Sequence, residues 1–565
     1  MEITEQLQTD ILVIGAGSAG LRAALEAAEA GSRVLILNKG PAGKSGITLT
    51  AAGGMQVPIH PEDKPDYYFA DTVRCGYDLG DQNLVRALVE EAQGRQADLE
   101  RYGVNFVRDA SGGYSMGQFP GQTRPRNVFI KGGGIGLVSA LVGACKHNER
   151  ITILDDFFVT GLVREDGSQG KAVAGAVGLN LKNGNLTLIS AKATIMATGG
   201  CQWLWETTDC PADATGDGVV YAYRAGAELI DMEMVLFYPS VILRPASLKG
   251  AFVHYEFLSP DVLDGNVYDK DGQAVLPKPL PVRDQAMRLM AKAIQDGRSG
   301  PHGGLFWYVG DSPKGEEVVR KVLNTLQYNY IKSHGVNPAA DKIEVAPGAH
   351  YLMGGIFINE ECKTSIKGLF ATPECAGNFD GANRLAGGGI TATQVFGAKA
   401  GICAHKWARS TGPVTIGAAS LEEEIGRVSS RIAGGNHKKS NIMPLREKLR
   451  SAVQQYAGVI RNKEGLLRLQ EIAREIKEEL GSEKVPAVTY YNQQLVDLLQ
   501  LENMCEIAGL VAGCAQLRQE SRGHHYRSDF PDPDNLNWLQ HTLVFQKDGK
   551  PGYGKRPVVR IRTPI

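Results

Sequence analysis

The chain has 565 residues, which at roughly 100–200 residues per domain makes about three or four structural units. Apolar residues make up 43% and charged residues 22%, an ordinary globular balance that excludes a disordered chain. Lysine and arginine total 61 against 62 aspartates and glutamates, a formal net charge of −1. Such a chain has no global field to gather phosphate backbones, so nucleic acid is not an expected partner.

Taken in chain order, the N-terminal MEITEQLQTD is polar and acidic and runs into the apolar ILVI at 11–14, read as a buried strand. It lacks the basic start and apolar core of a secretory signal, and no apolar run reaches the 18 or so residues of a membrane span. The expectation is a cytoplasmic chain, with any contact with the inner membrane face made through a partner. GAGSAG follows at once, then the alanine-rich LRAALEAAEAG with helical spacing and Gly31 as its stop, then a second strand RVLIL at 33–37. This is a β-α-β unit of a parallel, doubly wound sheet. AKATIMATGG (191–200) and IKGLFATPE (366–374) read as further apolar strands of the same sheet, so the nucleotide domain is split.

The expected organisation is an α/β, Rossmann-like FAD-binding domain in two parts, 1–240 and 350–415, interrupted by an α+β capping domain at 241–349. The cap carries the amphipathic RDQAMRLMAKAIQDG. A helical domain follows at 416–530, built on LEEEIGRVSSRIAGG, MPLREKLRSAVQQYAGVI and KEGLLRLQEIAREIKEELG, and the tail 531–565 reads as irregular. None of the 9 cysteines lies in a C-x-x-C pair, so neither a zinc ribbon nor a self-contained iron–sulfur cluster is encoded, and no metal ligands are assigned. The odd, scattered set fits a reducing compartment.

GAGSAG carries the first chemistry. Gly15 permits the tight turn, Gly17 admits a pyrophosphate to the backbone beside Ser18 and Ala19, and Gly20 lets helix and strand pack closely. An acid that would hold the adenosine ribose is expected at the end of the second strand. Asn38 and Lys39 stand there instead; asparagine can still bond a hydroxyl, and the lysine suits a phosphate. ATGG at 197–200 and LFATPE at 369–374 resemble the second and third fingerprints of two-dinucleotide flavoproteins, which favours FAD over NAD, with Glu374 as acceptor for a ribitol hydroxyl.

RAGAELIDMEMVLFYPS, RDQAMRLMAKAIQDGR, AHYLMGGIFI, GLFATPECAGNFDGANRLAGGG and SRGHHYRSDFP, in this order, resemble the flavoprotein subunit family of fumarate reductase and succinate dehydrogenase, which includes L-aspartate oxidase. The resemblance runs from about residue 9 to 540 and implies an FAD-dependent oxidoreductase exchanging hydride with a small carboxylate, fumarate and succinate leading. It implies electrons passed to or from an iron–sulfur partner. His350 and Arg384 would orient a substrate carboxylate, and Arg283 would deliver or remove the proton. It also assigns Ser45, Gly46, Gly53, Gly54, Ala197, Thr198, Gly199, Asp217, Gly389 and Ile390 to the cofactor, with Arg384 touching both.

The chain also departs from that family. FYPS stands for F-H-P-T, so Tyr238 replaces a substrate-binding histidine, offering one neutral hydroxyl. The family's T-E-G-x-R-G-E-G relay segment falls near HYEFLSPDVLDG, where His254, Tyr255 and Glu256 are the nearest replacements and the relay is unidentified. GANRLAGGGI stands for GANRLGGNSL. Ile47 occupies the place of the histidine that holds FAD covalently, so non-covalent FAD is expected. Two alternatives stay open: an electron-transfer subunit with an altered or lost dicarboxylate site, and L-aspartate oxidase.

Overall fold

The computed structural model describes residues 1–166, 172–310, 314–323, 325–433 and 441–561. The glycine pair ending LEEEIGRVSSRIAGG and the last four residues of the tail lie outside them.

The core is a seven-stranded sheet. Ile3–Ile14 lies at its centre, parallel to Val34–Asn38 on one side and to Leu186–Met196 on the other, with Ile151–Asp155 beyond Val34–Asn38. The first strand begins eight residues before ILVI. Its polar half alternates between exposed and part-buried positions, and only the second half, from Thr9, enters the core. Helix Ser18–Glu29 makes the crossover, and Gly31, at φ +106°, ends it in the left-handed region that glycine favours.

The long strand Leu186–Met196 joins the two halves of the split domain. Its first half pairs antiparallel with Val173–Asn180; its last residues, Thr194–Met196, pair parallel with Leu369–Ala371 from far downstream. The helix Gly388–Ser410 then packs back on Ser18–Glu29, where Gly397 and Gly401 meet the backbone of Ala19 and Ala23 too closely for any Cβ.

The cap is built on a four-stranded antiparallel sheet in the order Val235–Arg244, Ile343–Leu352, Leu305–Tyr308, Asn266–Tyr268, with helix Arg283–Gln295 against it. The expected boundaries at 240 and 350 fall inside its first two strands, which pair with each other and carry the chain continuously from one domain into the next. Helices Ala418–Ser429, Ile442–Tyr456, Lys463–Leu480 and Gln493–Leu517 make the helical domain.

The tail corrects the expectation of irregular structure. Gln540–Lys547 and Lys550–Pro557 form a hairpin that extends a sheet through Leu229–Ile230. Its turn is Asp548-Gly549, both at positive φ, the dipeptide and conformation of a tight two-residue hairpin. Pro551 and the basic run obscure this in the sequence, but the prolines sit where the outer strand needs no further donor.

Candidate active site

A cavity of about 1360 Å³ runs between the parallel sheet and the cap. Its walls include every expected site residue but one: Gly15, Gly17, Ser18, Ala19, Asn38, Lys39, Ser45, Gly46, Gly53, Gly54, Ala197, Thr198, Gly199, Asp217, Glu374, Gly389 and Ile390 on the sheet side, and Tyr238, Glu256, Arg283, His350 and Arg384 toward the cap. Gly20 is the exception. A Cβ there would sit 2.0 Å from the Gly15 carbonyl oxygen, so it closes helix on strand and does not line the cavity.

At the sheet end, Gly17 caps the helix Ser18–Glu29, and a Cβ built on it would meet only Thr48 Oγ1, at 3.5 Å. Its Cα therefore faces open space, with helix-start amides beside it. Asn38 is turned into its own loop: its oxygen accepts from the Ala16 amide at 3.1 Å, and its amide nitrogen donates to Gly40 O and Ser45 Oγ. Lys39 pairs with Asp217 at 3.2 Å. Burial works to raise the Asp217 carboxyl, but Lys39 and hydrogen bonds from Asn503 and Thr215 outweigh it and hold the group below the usual range. Asn503 reaches it from the helical domain at 2.8 Å.

Midway, Glu374 follows the strand Leu369–Ala371 and accepts from Gln202 and, at 3.4 Å, from the Leu352 amide. Burial pushes its carboxyl up to about 7. Arg384 stacks 4.2 Å over the Tyr351 ring and donates to Leu385 O at 3.4 Å, while its Nε is buried with no partner among the described residues.

At the cap end, Arg283 opens the helix Arg283–Gln295. Its Nη2 donates to Glu256 Oε1 at 2.9 Å, and the guanidinium lies 5.0 Å from the Tyr238 ring centroid. The neighbouring Asp284 turns elsewhere, accepting from Tyr77 at 2.6 Å and pairing with Arg288. The Tyr238 hydroxyl donates to the other Glu256 oxygen, Oε2, at 2.6 Å and stands 3.1 Å from His254 Nδ1. Burial alone would raise the Glu256 carboxyl, yet His254, Arg283 and Tyr238 together hold it far below the usual range. His350 Nδ1 meets Asp209 Oδ2 at 2.6 Å.

Two family models match the chain: an FAD binding domain over residues 10–390, and a fumarate reductase flavoprotein C-terminal domain over 446–563. One subunit of the fumarate reductase (CoM/CoB) of Methanothermobacter marburgensis is 35% identical over 554 residues, spanning 96% of this chain and 98% of the relative. The chain belongs to the fumarate reductase/succinate dehydrogenase flavoprotein family.

Like other members of that family it is an FAD-dependent oxidoreductase. The Mycobacterium tuberculosis fumarate reductase flavoprotein subunit is 30% identical over 585 residues, covering 99% of this chain and 98% of its own length. The FrdA chain of the E. coli quinol fumarate reductase superposes with a TM-score of 0.90 at 27% identity, over 99% of this chain and 98% of that one. FAD fits what the flavoprotein presents. The Gly17 cradle is one that a Cβ would fill, and the cavity exceeds the roughly 300–1,000 Å³ of an ordinary small-ligand site, which leaves room for a second small molecule.

Sequence reasoning did not find Asp209, the partner of His350, or Asp213, which accepts from the Gly46 amide at 2.9 Å. Both precede Asp217 in DCPADATGD, an acid-rich stretch opening a helix, and that was the available signal. Phe252 and Phe257, on the cap side of the cavity, carried no signal in the sequence. Among the described residues no group of three or more His, Cys, Asp or Glu is placed to hold a metal, and no helix is long and apolar enough to cross a membrane.

Proposed function

We propose that this flavoprotein interconverts a small α,β-unsaturated carboxylate and its saturated product, with fumarate and succinate as the leading pair. The observation that carries the reading is the Arg283–Glu256 ion pair, held at 2.9 Å on the wall of the cavity that also receives His350 and Arg384. When bound, FAD supplies the two-electron chemistry, passing a hydride equivalent to one olefinic carbon.

The amides of Gly17, Ser18 and Ala19 would hold the pyrophosphate at the helix start. Glu374 would accept from a ribitol hydroxyl, and Gly389 and Ile390 would face the flavin carbonyl from the start of Gly388–Ser410. Arg384 and His350 orient the substrate carboxylate: one offers a planar fork of donors, the other an imidazole aligned by Asp209. Arg283 gives a proton to the second olefinic carbon. A free guanidinium, with a pKa above about 12, is a poor acid. The Glu256 carboxylate beside it stabilises its charge further, so the donor acts only against a strong carbon base and must be recharged after each turnover.

Electrons must enter from outside the chain, whose cysteines lack cluster spacing, and the partner we assign is a separate iron–sulfur protein. The test is turnover of fumarate by the purified flavoprotein with reduced viologen. Reoxidation of the dye on adding fumarate supports the reading; a protein that loads FAD yet leaves the dye reduced with fumarate and with other enoates overturns it. Copurification of a cysteine-rich iron protein tests the partner.

A further inference from the structure

The contacts around Glu256 extend outward from the ion pair. Arg283 Nη2 donates to Oε1 at 2.9 Å, Tyr238 Oη donates to Oε2 at 2.6 Å, and His254 Nδ1 lies 3.1 Å from that same hydroxyl. A phenol has one hydrogen, and here it points at a charged acceptor, the stronger choice. Its oxygen is therefore an acceptor toward His254, and Nδ1 carries a proton. Four groups are thus joined by hydrogen bonds, and on the outer side these all point one way, from the imidazole inward to the carboxylate.

We propose that His254 and Tyr238 form, with Glu256, the proton relay that recharges Arg283, an inference that rests on Arg283 being the proton donor in the reaction proposed above. When Arg283 protonates the substrate carbon, one N–H bond breaks, a C–H bond forms, and the electron pair of the broken bond stays on the guanidine. Tyr238 passes its hydroxyl proton to Glu256 Oε2 as it takes the Nδ1 proton of His254. Rotation of the carboxyl about Cγ–Cδ then presents the new proton to Arg283. A solvent proton taken up at Nε2 of His254 as Nδ1 gives up its own keeps the ring a neutral imidazole, which returns to the Nδ1–H form by exchange with water. One proton enters at the histidine for each one delivered to carbon, and no oxidant or reductant is needed.

The surroundings suit this direction. The side chain of Glu256 is 5% exposed and that of His254 19%, and His254 also lines the cavity, so the histidine end of the chain is the one that water in the cavity reaches. His254 is held by Phe257 at 4.6 Å and Phe252 at 5.2 Å between ring centroids, and Trp307 Nε1 donates to its carbonyl at 3.3 Å. Burial pushes the Tyr238 hydroxyl well up, the Glu256 charge adding to it, so it stays neutral at rest and moves a proton only by exchanging one for another. The same geometry argues against Tyr238 as a contact for the distal end of a dicarboxylate, since its only donor is already engaged.

The test is Tyr238→Phe, which removes the hydroxyl and keeps the ring, in the FAD-loaded protein together with its copurifying partner. Positioned acid–base groups contribute about 10²–10⁴-fold, so kcat for fumarate reduction with reduced viologen is expected to fall at least about tenfold. Fumarate affinity, read from the flavin spectrum, should change less than about twofold, and flavin reduction by dithionite should be unaltered. His254→Gln should show the same split; it carries the test alone if Tyr238→Phe does not load FAD. Added imidazole should restore part of the rate of His254→Gly, a rescue no purely structural role would give. Wild-type kcat in either conservative variant, or a loss confined to fumarate affinity, overturns the relay and leaves the site reading intact. A wild-type protein inert to every enoate overturns both.

Discussion

Asp209 Oδ2 stands 2.6 Å from His350 Nδ1, with the acid's side chain 3% exposed and the histidine's 26%. A buried carboxylate on Nδ1 holds the ring in one orientation and leaves Nε2 as the imidazole atom not engaged by Asp209. Asp209→Asn should raise KM for fumarate about tenfold or more, the loss of a charge-assisted hydrogen bond worth about 1.5–3 kcal/mol. Steady-state kinetics check this; an unchanged KM would show that His350 needs no support.

Arg283→Ala should lower kcat about a hundredfold or more while dithionite still reduces the flavin at the normal rate. Arg283→Lys should rescue little, because an ammonium cannot keep both the Glu256 contact and a second donor aimed at carbon. Arg384→Ala should act mainly through KM. A near-normal Arg283→Ala enzyme would mean that the proton has another source.

Gly17 and Gly20 should separate binding from folding. Valine at Gly17 places its side chain in open cavity and should abolish FAD binding in a folded protein. Alanine at Gly20 collides with the Gly15 carbonyl, so it should destabilise the chain before it affects the cofactor. Flavin absorbance and circular dichroism on both variants distinguish the cases. Full yellow occupancy in folded Gly17→Val would refute the pyrophosphate assignment.

FAD should be released completely by acid precipitation. Ile47 lines the cavity and has no nucleophilic atom, and the cavity's histidines, His254 and His350, are engaged with Tyr238 and Asp209. Fluorescent flavin retained on the chain in a denaturing gel is the contrary result.

His525 gives a pH prediction. Burial, then the charges of Arg461, Arg518 and Arg527, hold its pKa well below the ordinary value. The folded state thus keeps it neutral, while the unfolded state protonates below about 6.5. Its contribution is complete above that pH and is lost as pH falls, by up to about 1.4 kcal/mol per unit. Glu374 and Asp380, raised to about 7, act oppositely in the same window, so the informative quantity is a difference. Urea unfolding at pH 7.5 and 5.5 should show a smaller loss in His525→Gln than in wild type. Equal losses would mean that the imidazole is protonated when folded.

Much of this site is legible in the sequence because its parts are local patterns. GAGSAG sits between an apolar strand and an alanine-rich helix, and Glu374 ends a short strand, so each announces its own geometry. Contacts closed by the fold announce nothing. Asp209 and His350 lie 141 positions apart, and Asp217 and Asn503 lie 286 apart. Tyr238 shows the intermediate case: its identity is plain, but only the approach of Glu256 and His254 reveals that its hydroxyl is already taken. The C-terminal hairpin was readable from Asp548-Gly549 and was hidden by the proline beside it.

The split of the sheet has a consequence for biosynthesis. The cavity wall begins at Ile14 and is not complete until Ile390 and Thr393 are in place. At about 5–20 residues per second, a ribosome spends between roughly 20 and 75 s separating the two ends. From its own synthesis until Leu369–Ala371 is made, Leu186–Met196 waits with the last part of one edge unpaired. Flavin loading is therefore a late event in the life of the chain, and a nascent chain stalled before Leu369 carries a bare strand edge beside half of a dinucleotide site.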